Sequence, residues 1–400
     1  MAAGPVDVRT EVDALREVVL HRPGDELRRL TPRNSADLLF DAVPWVERAQ
    51  LEHDAFAGLL AARGVEVRYL RDLLIETLTT SEEARTRCVA AVSEVRTAGP
   101  RLAAQLRERL PESSAESLAD VLVAGMTFAE WSEHTEGANG LPHAVGGSDG
   151  FAVPPLPNLL FTRDTAVVLG GWLAVTRPAL PVRQREATIV DTVFSFHPDF
   201  ADVPKLPTHD VDGLEGGDVL VLADGVLAIG VGARTNPAGV EAFAQAAFDV
   251  GAARLVLAVP IPQRRATMHL DTICTMVDHD VALMYPPIAR ELEAWTLTPA
   301  GMAGPVPFLR AAAGAIDVDE LRVVATDMDP VTAEREQWDD GNNTLAIAPG
   351  VVVAYERNQR TNERLADSGI EVLTIAGSEL GSGRGGPRCL SCPIRRDPSG

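Results

Sequence analysis

The sequence predicts an α/β protein built as a propeller-like array of strand–strand–helix–strand (ββαβ) units. Three tight β-hairpins are evident, because Gly170-Gly171, Asp224-Gly225 and Pro349-Gly350 each separate two apolar runs. The glycines of these pairs supply the positive φ angles that two-residue turns need. A weaker fourth hairpin is predicted to turn near His279.

The regular spacing of these turns indicates a repeat. The first three turns are 54 residues apart, and the last interval is 71 residues. A period of about 50 residues with strands in every unit favours a propeller-like array over a doubly wound sheet. Two-residue hairpins also fit poorly with the parallel crossovers of an ordinary α/β sheet.

Each predicted hairpin is followed by a helical stretch and a further strand. Counted in chain order, the second hairpin is followed by residues 236–251 and 254–260, and the third, which turns near His279, is followed by residues 286–295 and 321–327. After the fourth, a polar helical stretch ends near Gly369 and is followed by an apolar strand. The N-terminal part fits the same unit, with strands at 16–24 and 65–70 and a helix at 46–64.

Residues 79–131 break this repeat and are predicted to form an all-helical insertion within a single catalytic domain that spans residues 1–400. Thr80-x-x-Glu83 and Ser113-x-x-Glu116 have the capping-box pattern that opens helices. Between them, Leu102, Leu106 and Leu110 form an apolar stripe at helical spacing.

Composition excludes several classes of function. The formal net charge of −21 argues against nucleic acid and anionic membranes as partners. No stretch approaches the ~20 apolar residues of a membrane span, and residues 1–13 are too charged for a signal peptide. Four cysteines in 400 residues do not make a disulfide framework, so we expect a cytoplasmic protein.

Short polar clusters stand immediately before the predicted hairpins. A fifth polar group lies near the C-terminal end. Because the clusters occupy equivalent places in a repeated unit, they can bring acid, base and nucleophile together in one site. In chain order they are Asn158–Asp164, Glu215–Asp218, His269–Asp271, Asn342–Asn343 and Gly383–Cys389.

Two clusters carry groups suited to acid–base chemistry. His269 and Asp271 are separated by one residue, so in an extended segment both side chains face the same side. The Glu215–Asp218 cluster (EGGD) places two glycines between two acids, and the glycines let the backbone turn sharply or approach a ligand closely.

Cys389 is the candidate nucleophile. It lies in an arginine- and glycine-rich segment, and nearby positive charge favours a reactive thiolate. With Cys392 it also forms a C-x-x-C pair, which leaves open a redox pair or half of a zinc site. Cys88 and Cys274 are predicted to be small core residues. No phosphate-binding loop or nucleophile elbow is present, and no motif demands a metal or a nucleotide.

Taken in order, these motifs resemble those of the arginine deiminases, which belong to the guanidine-modifying (pentein) superfamily. The matching segments are LHRPG, PNLLFTRD, EGGD, HLDT, GARTN and GRGGPRCLSCPI, and they extend over almost the whole chain. The resemblance implies a five-bladed α/β propeller, hydrolysis of L-arginine to L-citrulline and ammonia in arginine catabolism, and no cofactor.

The resemblance also implies catalytic roles. Cys389 resembles the nucleophile that attacks the guanidinium carbon and forms a covalent amidino intermediate. His269 resembles the general acid for release of ammonia and then the base that activates water. Asp164 and Asp271 resemble the carboxylates that hold the guanidinium group, and Glu215 resembles the acid that orients His269. A planar guanidinium is best held by carboxylates in bidentate geometry.

Substrate-binding residues are implied in the same way. Arg183 and Arg234 resemble the arginines that bind the substrate α-carboxylate. Asn158 and Phe161 resemble residues that line the pocket, with the aromatic ring beside the guanidinium as a cation–π surface.

The loop beside the nucleophile completes the resemblance. Gly383 and Arg384 resemble the part of that loop that rearranges when the substrate enters. Many relatives form dimers or larger assemblies, so a homo-oligomer is possible, but no sequence feature indicates an interface.

Other functions stay open at this point. The same motifs could act on another guanidine substrate, such as agmatine or a methylated arginine, or transfer the amidino group to an amine. A metal or redox protein built around Cys389 and Cys392, or a silent propeller used as a scaffold, would belong to a different class. A metal assay on the purified protein distinguishes a metal protein from a deiminase, because the deiminase hypothesis predicts no stoichiometric zinc.

Overall fold

One arrangement of strands recurs through this computed structural model, which describes residues 5–133, 140–208, 213–325 and 329–398. The strands are Ala14–Leu20 (β1), Glu66–Tyr69 (β2), Met126–Thr127 (β3), Phe151–Val153 (β4), Ala166–Leu169 (β5), Trp172–Val175 (β6), Val219–Ala223 (β7), Val226–Val231 (β8), Leu255–Pro260 (β9), Cys274–Asp278 (β10), Val281–Met284 (β11), Glu293–Thr298 (β12), Gly301–Pro307 (β13), Arg322–Ala325 (β14), Leu345–Ala348 (β15), Val351–Tyr355 (β16), Glu371–Ile375 (β17) and Cys392–Asp397 (β18).

Helices lie between many of these strands and also form one consecutive run between β2 and β3. They are Asp25–Arg28 (α1), Val46–Ala62 (α2), Leu70–Thr80 (α3), Glu82–Val92 (α4), Val95–Ala98 (α5), Pro100–Arg109 (α6), Ala115–Val123 (α7), Phe128–Glu133 (α8), Leu141–Gly146 (α9), Gln184–Phe196 (α10), Pro237–Asp249 (α11), Pro286–Ala289 (α12), Phe308–Ala315 (α13), Pro330–Trp338 (α14) and Gln359–Asp367 (α15).

Five sets of strands in the described residues share one pattern, in which an antiparallel pair is joined by a third strand parallel to its second member. The sets β7–β8–β9, β10–β11–β14 and β15–β16–β17 have this form. In another, β5 pairs with β6, and Leu173 of β6 bridges in parallel to Lys205. The two ends of the chain build the fifth, because β18 pairs antiparallel with β1, and β1 pairs parallel with β2.

The four predicted hairpin turns are confirmed, since β5–β6, β7–β8, β10–β11 and β15–β16 turn at the expected residues. The longer third interval has a structural cause. Residues 286–295 were expected to be helical, but α12 ends at Ala289 and the chain then forms the β12–β13 hairpin. That hairpin pairs with β9 and so extends the neighbouring sheet to five strands.

Helices α3 to α7 lie between β2 and β3, and α8 and α9 lie between β3 and β4. Both predicted capping boxes were wrong by one residue, because Ser81 and Ser114 accept the capping hydrogen bonds. Thr80 is the last residue of α3, and its hydroxyl donates to the Glu76 carbonyl. The predicted apolar stripe is buried, since Leu102, Leu106 and Leu110 are all shielded from solvent.

Apolar packing joins consecutive strand sets. One buried cluster contains Val219 of β7 and Val167 of β5, and another runs from Leu220 of β7 to Val352 of β16. A third joins β16 to β1, and the last combines β1, β18 and β5 with the helices that follow β2. Cys88 and Cys274 are buried in these clusters as predicted. Within the described ranges no helix has the length and apolarity that crossing a membrane would require.

Candidate active site

Five short segments, each directly before a strand pair, converge on one buried site. Three are 3-10 turns, at Thr162–Thr165 before β5, Gly216–Asp218 before β7 and Leu270–Thr272 before β10. The other two are the loops that carry Asn343 before β15 and Cys389 before β18. The polar clusters singled out in the sequence therefore lie in equivalent positions, and the structure brings their side chains together.

The thiol of Cys389 is almost completely buried, and Sγ lies 3.5 Å from Oδ2 of Asp271 as a hydrogen-bond donor. Burial raises the pKa of this thiol well above its ordinary value. The carboxylates of Asp271, Asp164 and Asp340 raise it further, and the positive charge of Arg388 only partly opposes them. In this ligand-free state the nucleophile is therefore a neutral thiol.

His269 is held between two carboxylates. Its Nε2 donates to Oε2 of Glu215 at 2.8 Å, and its Nδ1 lies 3.8 Å from Oδ1 of Asp164. Burial lowers the pKa of His269, but Asp164, Glu215 and Asp218 outweigh burial and raise it above the ordinary value, so the ring is an imidazolium able to act as an acid. Glycine is required at Gly217, because a Cβ there would lie 2.5 Å from Nδ1 of His269.

Two carboxylate oxygens face the site without a partner. Oδ1 of Asp164 and Oδ1 of Asp271 are buried and accept no hydrogen bond from any described residue. Buried anionic oxygens are normally paired, so these two are available to a ligand that donates N–H groups. The surplus of negative charge around Cys389 also favours a cationic ligand.

Arg183 is buried beside the same carboxylates. Its Nη1 donates to Oδ2 of Asp164 at 2.8 Å and to Oε2 of Glu215 at 3.1 Å, while Nη2 donates to Glu186 at 2.8 Å. Arg234 donates from Nη1 to Oε1 of Glu215 at 3.4 Å. Although burial raises the pKa of Glu215, the charges of Arg183 and His269 lower it below its ordinary value, so this carboxylate stays ionised.

The remaining residues predicted to contact the substrate lie around this centre. The side chain of Asn158 donates to the Leu38 backbone carbonyl at 2.8 Å. The backbone carbonyl of Asn158 accepts from Nη2 of Arg183 at 3.4 Å. The ring of Phe161 is buried against the backbone of Gly383. Arg384 has a left-handed backbone conformation, and its guanidinium carbon lies 3.8 Å from the centre of the Trp338 ring.

Two acids near the site were not among the predicted site residues. Glu186 lies one helical turn after Arg183 and binds it, and this i, i+3 spacing was a usable signal in the sequence. Asp218, the last acid of EGGD, accepts from Oγ1 of Thr235 at 2.5 Å and from the Leu270 amide at 2.8 Å. Burial raises the pKa of both carboxyls to about 7.

An ion pair from the N-terminal segment supports the nucleophile loop and was also missed. Arg388 donates from Nε and Nη2 to both carboxylate oxygens of Glu11 at 3.0 Å, and from Nη1 to Oδ2 of Asp271 at 2.7 Å. The positive charge of Arg388, which was expected to favour the thiolate of the neighbouring Cys389, is therefore paired with two carboxylates. No local signal links Glu11 to Arg388, which is 377 residues away.

The donor atoms of the site could also hold a metal ion. Those of His269, Asp271 and Cys389 lie within 4.8 Å of one another, and so do those of Asp164, Glu215 and His269. The set of sulfur, nitrogen and oxygen ligands would suit zinc. The expectation that the protein holds no metal stays a prediction. Cys392 is a free buried thiol that donates to the Ala166 carbonyl at 3.5 Å.

Comparison with known proteins agrees with this geometry. The sequence matches the family model for arginine deiminase over residues 36–396. An arginine deiminase from Rhodococcus erythropolis is 55% identical over 398 residues, covering 98% of each chain. One from Mycobacterium tuberculosis is also 55% identical, over 393 residues, and covers 97% of this chain and 98% of its own.

Solved structures share the fold at low identity. The amidinotransferase SxtG from Microseira wollei has a TM-score of 0.56 at 13% identity and covers 99% of this chain and 98% of its own. A DDAH variant from Pseudomonas aeruginosa complexed with citrulline has a TM-score of 0.52 at 15% identity, covering 95% and 99%. These neighbours support a mixed α/β fold of the pentein type, and the sequence matches show that the chain belongs to the arginine deiminase family.

Proposed function

We propose that this chain is an arginine deiminase, a hydrolase of carbon–nitrogen bonds that converts L-arginine to L-citrulline and ammonia through a covalent intermediate on Cys389. One observation carries the proposal. A buried thiol and an imidazolium share a site with two carboxylates, each of which presents one oxygen that has no partner among the described residues. This combination suits a planar cation that must be held, attacked and cleaved.

Binding of the guanidinium group is assigned to Asp164 and Asp271. A guanidinium donates N–H groups in a fixed plane, so two carboxylates can hold it in paired hydrogen bonds. Its positive charge next to Cys389 would offset the carboxylates that raise the pKa of the thiol, and the thiol proton would be released to water as the cation enters.

The chemical steps follow from the positions of the nucleophile and the acid. Sγ of Cys389 forms a bond to the guanidinium carbon, and His269 gives its proton to the departing nitrogen, which leaves as ammonia. The neutral imidazole then takes a proton from water as the water oxygen attacks the amidino carbon. The carbon–sulfur bond breaks, the electron pair returns to sulfur, and the thiolate takes the hydroxyl proton as the carbonyl of citrulline forms, which restores the neutral thiol. Covalent catalysis thus splits one difficult step into two easier ones.

Recognition of the amino-acid end is assigned to Arg183 and Arg234. Arg183 is paired with Asp164 in the ligand-free state, so we infer that it exchanges this partner for the substrate α-carboxylate when the guanidinium group takes its place on the carboxylates. Asn158 and Phe161 would line the pocket, and the loop with Gly383 and Arg384 would rearrange as the substrate enters.

We also propose that residues 1–400 form one catalytic domain, a five-bladed α/β propeller with a helical insertion at residues 79–131. The five equivalent strand sets support this, as do the apolar clusters that join consecutive sets. A cytoplasmic location and a homo-oligomeric state are proposed from the sequence and the family likeness alone.

Citrulline release tests the proposed function. The purified chain should form citrulline and ammonia from L-arginine, whereas a Cys389→Ser variant should form neither. Activity on agmatine or methylated arginines but not on L-arginine would overturn the substrate assignment. Product that appears only when an acceptor amine is added would instead indicate amidino transfer.

A further inference from the structure

The fourth polar cluster, Asn342–Asn343, has no role in the reaction proposed above. Every other cluster before a strand pair supplies a group to the site, and Asn343 lies in the equivalent position before β15. Its side chain has no exposed surface. A buried amide needs hydrogen-bond partners, and those of Asn343 are atoms of the nucleophile and of its neighbour.

The side-chain amide of Asn343 contacts Cys389 at two atoms. Its Nδ2 donates to Sγ at 3.2 Å, and its Oδ1 accepts from the Cys389 backbone amide at 3.0 Å. The Nδ2 group also donates to the backbone carbonyl of Asp271 at 3.2 Å. This orientation is fixed by the partners, because a flipped amide would set N–H against N–H and oxygen against oxygen.

The position of Asn343 is held from both sides. Its own amide donates to the Asp340 carbonyl at 3.0 Å, which closes the turn before β15. Thr275 of β10 donates to the Asn342 carbonyl at 2.9 Å. On the other side, a Cβ at Gly386 would lie 2.9 Å from Cβ of Asn343, so the nucleophile loop packs directly on this residue.

We propose that Asn343 is a further catalytic residue, which aims the sulfur of Cys389 and stabilises its thiolate through the Nδ2–H group. The proposal rests on the proposed function, because it concerns the same nucleophile. A hydrogen bond to an ionised acceptor is about twice as strong as one between neutral groups. The contact therefore strengthens when the thiol loses its proton.

The same hydrogen bond acts in both halves of the reaction. Before attack it increases the fraction of thiolate, which the carboxylates around Cys389 otherwise suppress. Thiolate nucleophilicity falls less steeply than the thiol pKa, with a coefficient of about 0.4–0.5, so the larger fraction outweighs the weaker nucleophile. When the intermediate is hydrolysed, sulfur leaves as a thiolate, and the donor is already in place to meet the returning charge.

The test compares Asn343→Ala and the nearly isosteric Asn343→Leu with the control Asn342→Ala. Asn343→Leu keeps the volume and adds no charge, but it has no donor for sulfur. Asn342 is the neighbouring buried asparagine, and its Nδ2 has no hydrogen-bond partner among the described residues. Folding is checked for each variant by circular dichroism, and if Asn343→Ala does not fold, the test is made with Asn343→Leu.

Two readouts are measured for each variant. The first is the thiolate ultraviolet absorbance of Cys389 against pH, with and without guanidinium ion, after subtraction of the corresponding Cys389→Ser spectrum. The second is kcat and KM for L-arginine. The titratable groups that face the thiol from neighbouring elements all stay unchanged; they are Asp164, His269, Asp271, Asp340, Tyr355 and Arg388.

We expect both Asn343 variants to ionise Cys389 at higher pH than wild type and to lower kcat by ~10- to 100-fold, as loss of a hydrogen bond to a charged group predicts. KM should change little, because Asn343 contacts sulfur rather than the proposed substrate carboxylates. An unchanged ionisation midpoint, with kcat no lower than in Asn342→Ala, would overturn the proposal. The absorbance titration needs no turnover, so it tests Asn343 even if L-arginine proves not to be the substrate.

Discussion

Arg183 and Asp164 form a buried ion pair in which Nη1 of the arginine lies 2.8 Å from Oδ2 of the aspartate. The chain thus places one of its own guanidinium groups on a carboxylate that is proposed to bind the substrate guanidinium. Carboxylates of Glu186 and Glu215 complete the pairing, so a buried charge is compensated before any ligand arrives. In the proposed binding mode, the substrate guanidinium replaces that of Arg183 on Asp164.

This exchange predicts opposite effects of Arg183→Ala on two ligands. KM for L-arginine should rise by ~10- to 100-fold, because a charged hydrogen bond to the α-carboxylate is lost. Agmatine has no carboxylate and competes with Arg183 for Asp164, so its inhibition constant should stay the same or fall. Steady-state kinetics with agmatine as a competitive inhibitor measure both.

The matched control for this prediction is the double variant Arg183→Ala/Glu186→Gln. Truncating Arg183 alone leaves Glu186 buried without its partner, which typically destabilises a protein by about 3–5 kcal/mol. The double variant should recover most of that stability and keep the same ligand preference. Equal losses of affinity for arginine and agmatine would exclude a role for Arg183 at the carboxylate.

Asp271→Asn should separate ionisation of the nucleophile from catalysis. Its carboxylate raises the pKa of Cys389 and is also proposed to hold the substrate. Without that charge, iodoacetamide should alkylate Cys389 faster at pH 8 than in wild type. Nevertheless kcat/KM for L-arginine should fall by roughly 100-fold or more, because one of two charged contacts to the guanidinium is lost. Slower alkylation, or unchanged turnover, would contradict this assignment.

The raised pKa of the buried Asp340 carboxyl predicts how the free energy of unfolding depends on pH. Burial raises the pKa of its carboxyl from 3.8 to about 7, so the folded protein binds this proton more tightly than the unfolded chain. Its contribution to stability is complete below about pH 4 and is lost as the pH rises through about 7. The slope from this one proton is at most about 1.4 kcal/mol per pH unit.

Asp340→Asn should therefore flatten the decline in the free energy of unfolding between pH 5 and pH 8. The left-handed backbone at this residue, with φ of 58°, is one that asparagine tolerates. Urea denaturation at both pH values measures the effect, with the half-buried neighbour Asp339→Asn as the control. A variant that loses as much stability as wild type between these pH values would show that Asp340 is not the group that titrates.

Trp338 should report movement of the nucleophile loop. Its half-exposed ring stacks on the guanidinium of Arg384, which is proposed to move when substrate enters. Arginine binding to Cys389→Ser should change the tryptophan emission, and adding Trp338→Phe should remove that change. Trp338→Leu should alter KM by roughly two- to tenfold, as loss of a cation–π contact predicts, with kcat nearly unchanged. Emission that is identical with and without arginine would argue against loop movement.

Local signals made much of the fold predictable from the sequence. The turns at Gly170-Gly171 and Asp224-Gly225 could be placed because few residues favour their backbone conformation. The β12–β13 hairpin carries no such signal, since its turn is Pro299-Ala300. Pairing of β18 with β1 joins the two ends of the chain, and no local pattern can indicate such a partner.

For the candidate site, the sequence indicated the positions of the clusters but not the partners of each side chain. Arg183 was expected to bind the substrate carboxylate. Its ion pair with Asp164 depends on a side-chain rotamer that its ion pairs with Glu186 and Glu215 stabilise, and these contacts form only in the folded chain. The link from Asn343 to Cys389 depends on two loops meeting. The repeat nevertheless pointed to Asn343 as a member of the same set.

A single trapping experiment addresses the proposed mechanism most directly. The protein is mixed with L-arginine labelled at the guanidinium carbon, quenched with acid within the first turnovers, digested and analysed by mass spectrometry. The labelled amidino group should be found on the peptide that contains Cys389 and should disappear as labelled citrulline forms. Labelled citrulline without any adduct, together with normal turnover by Cys389→Ser, would contradict a covalent role for this cysteine.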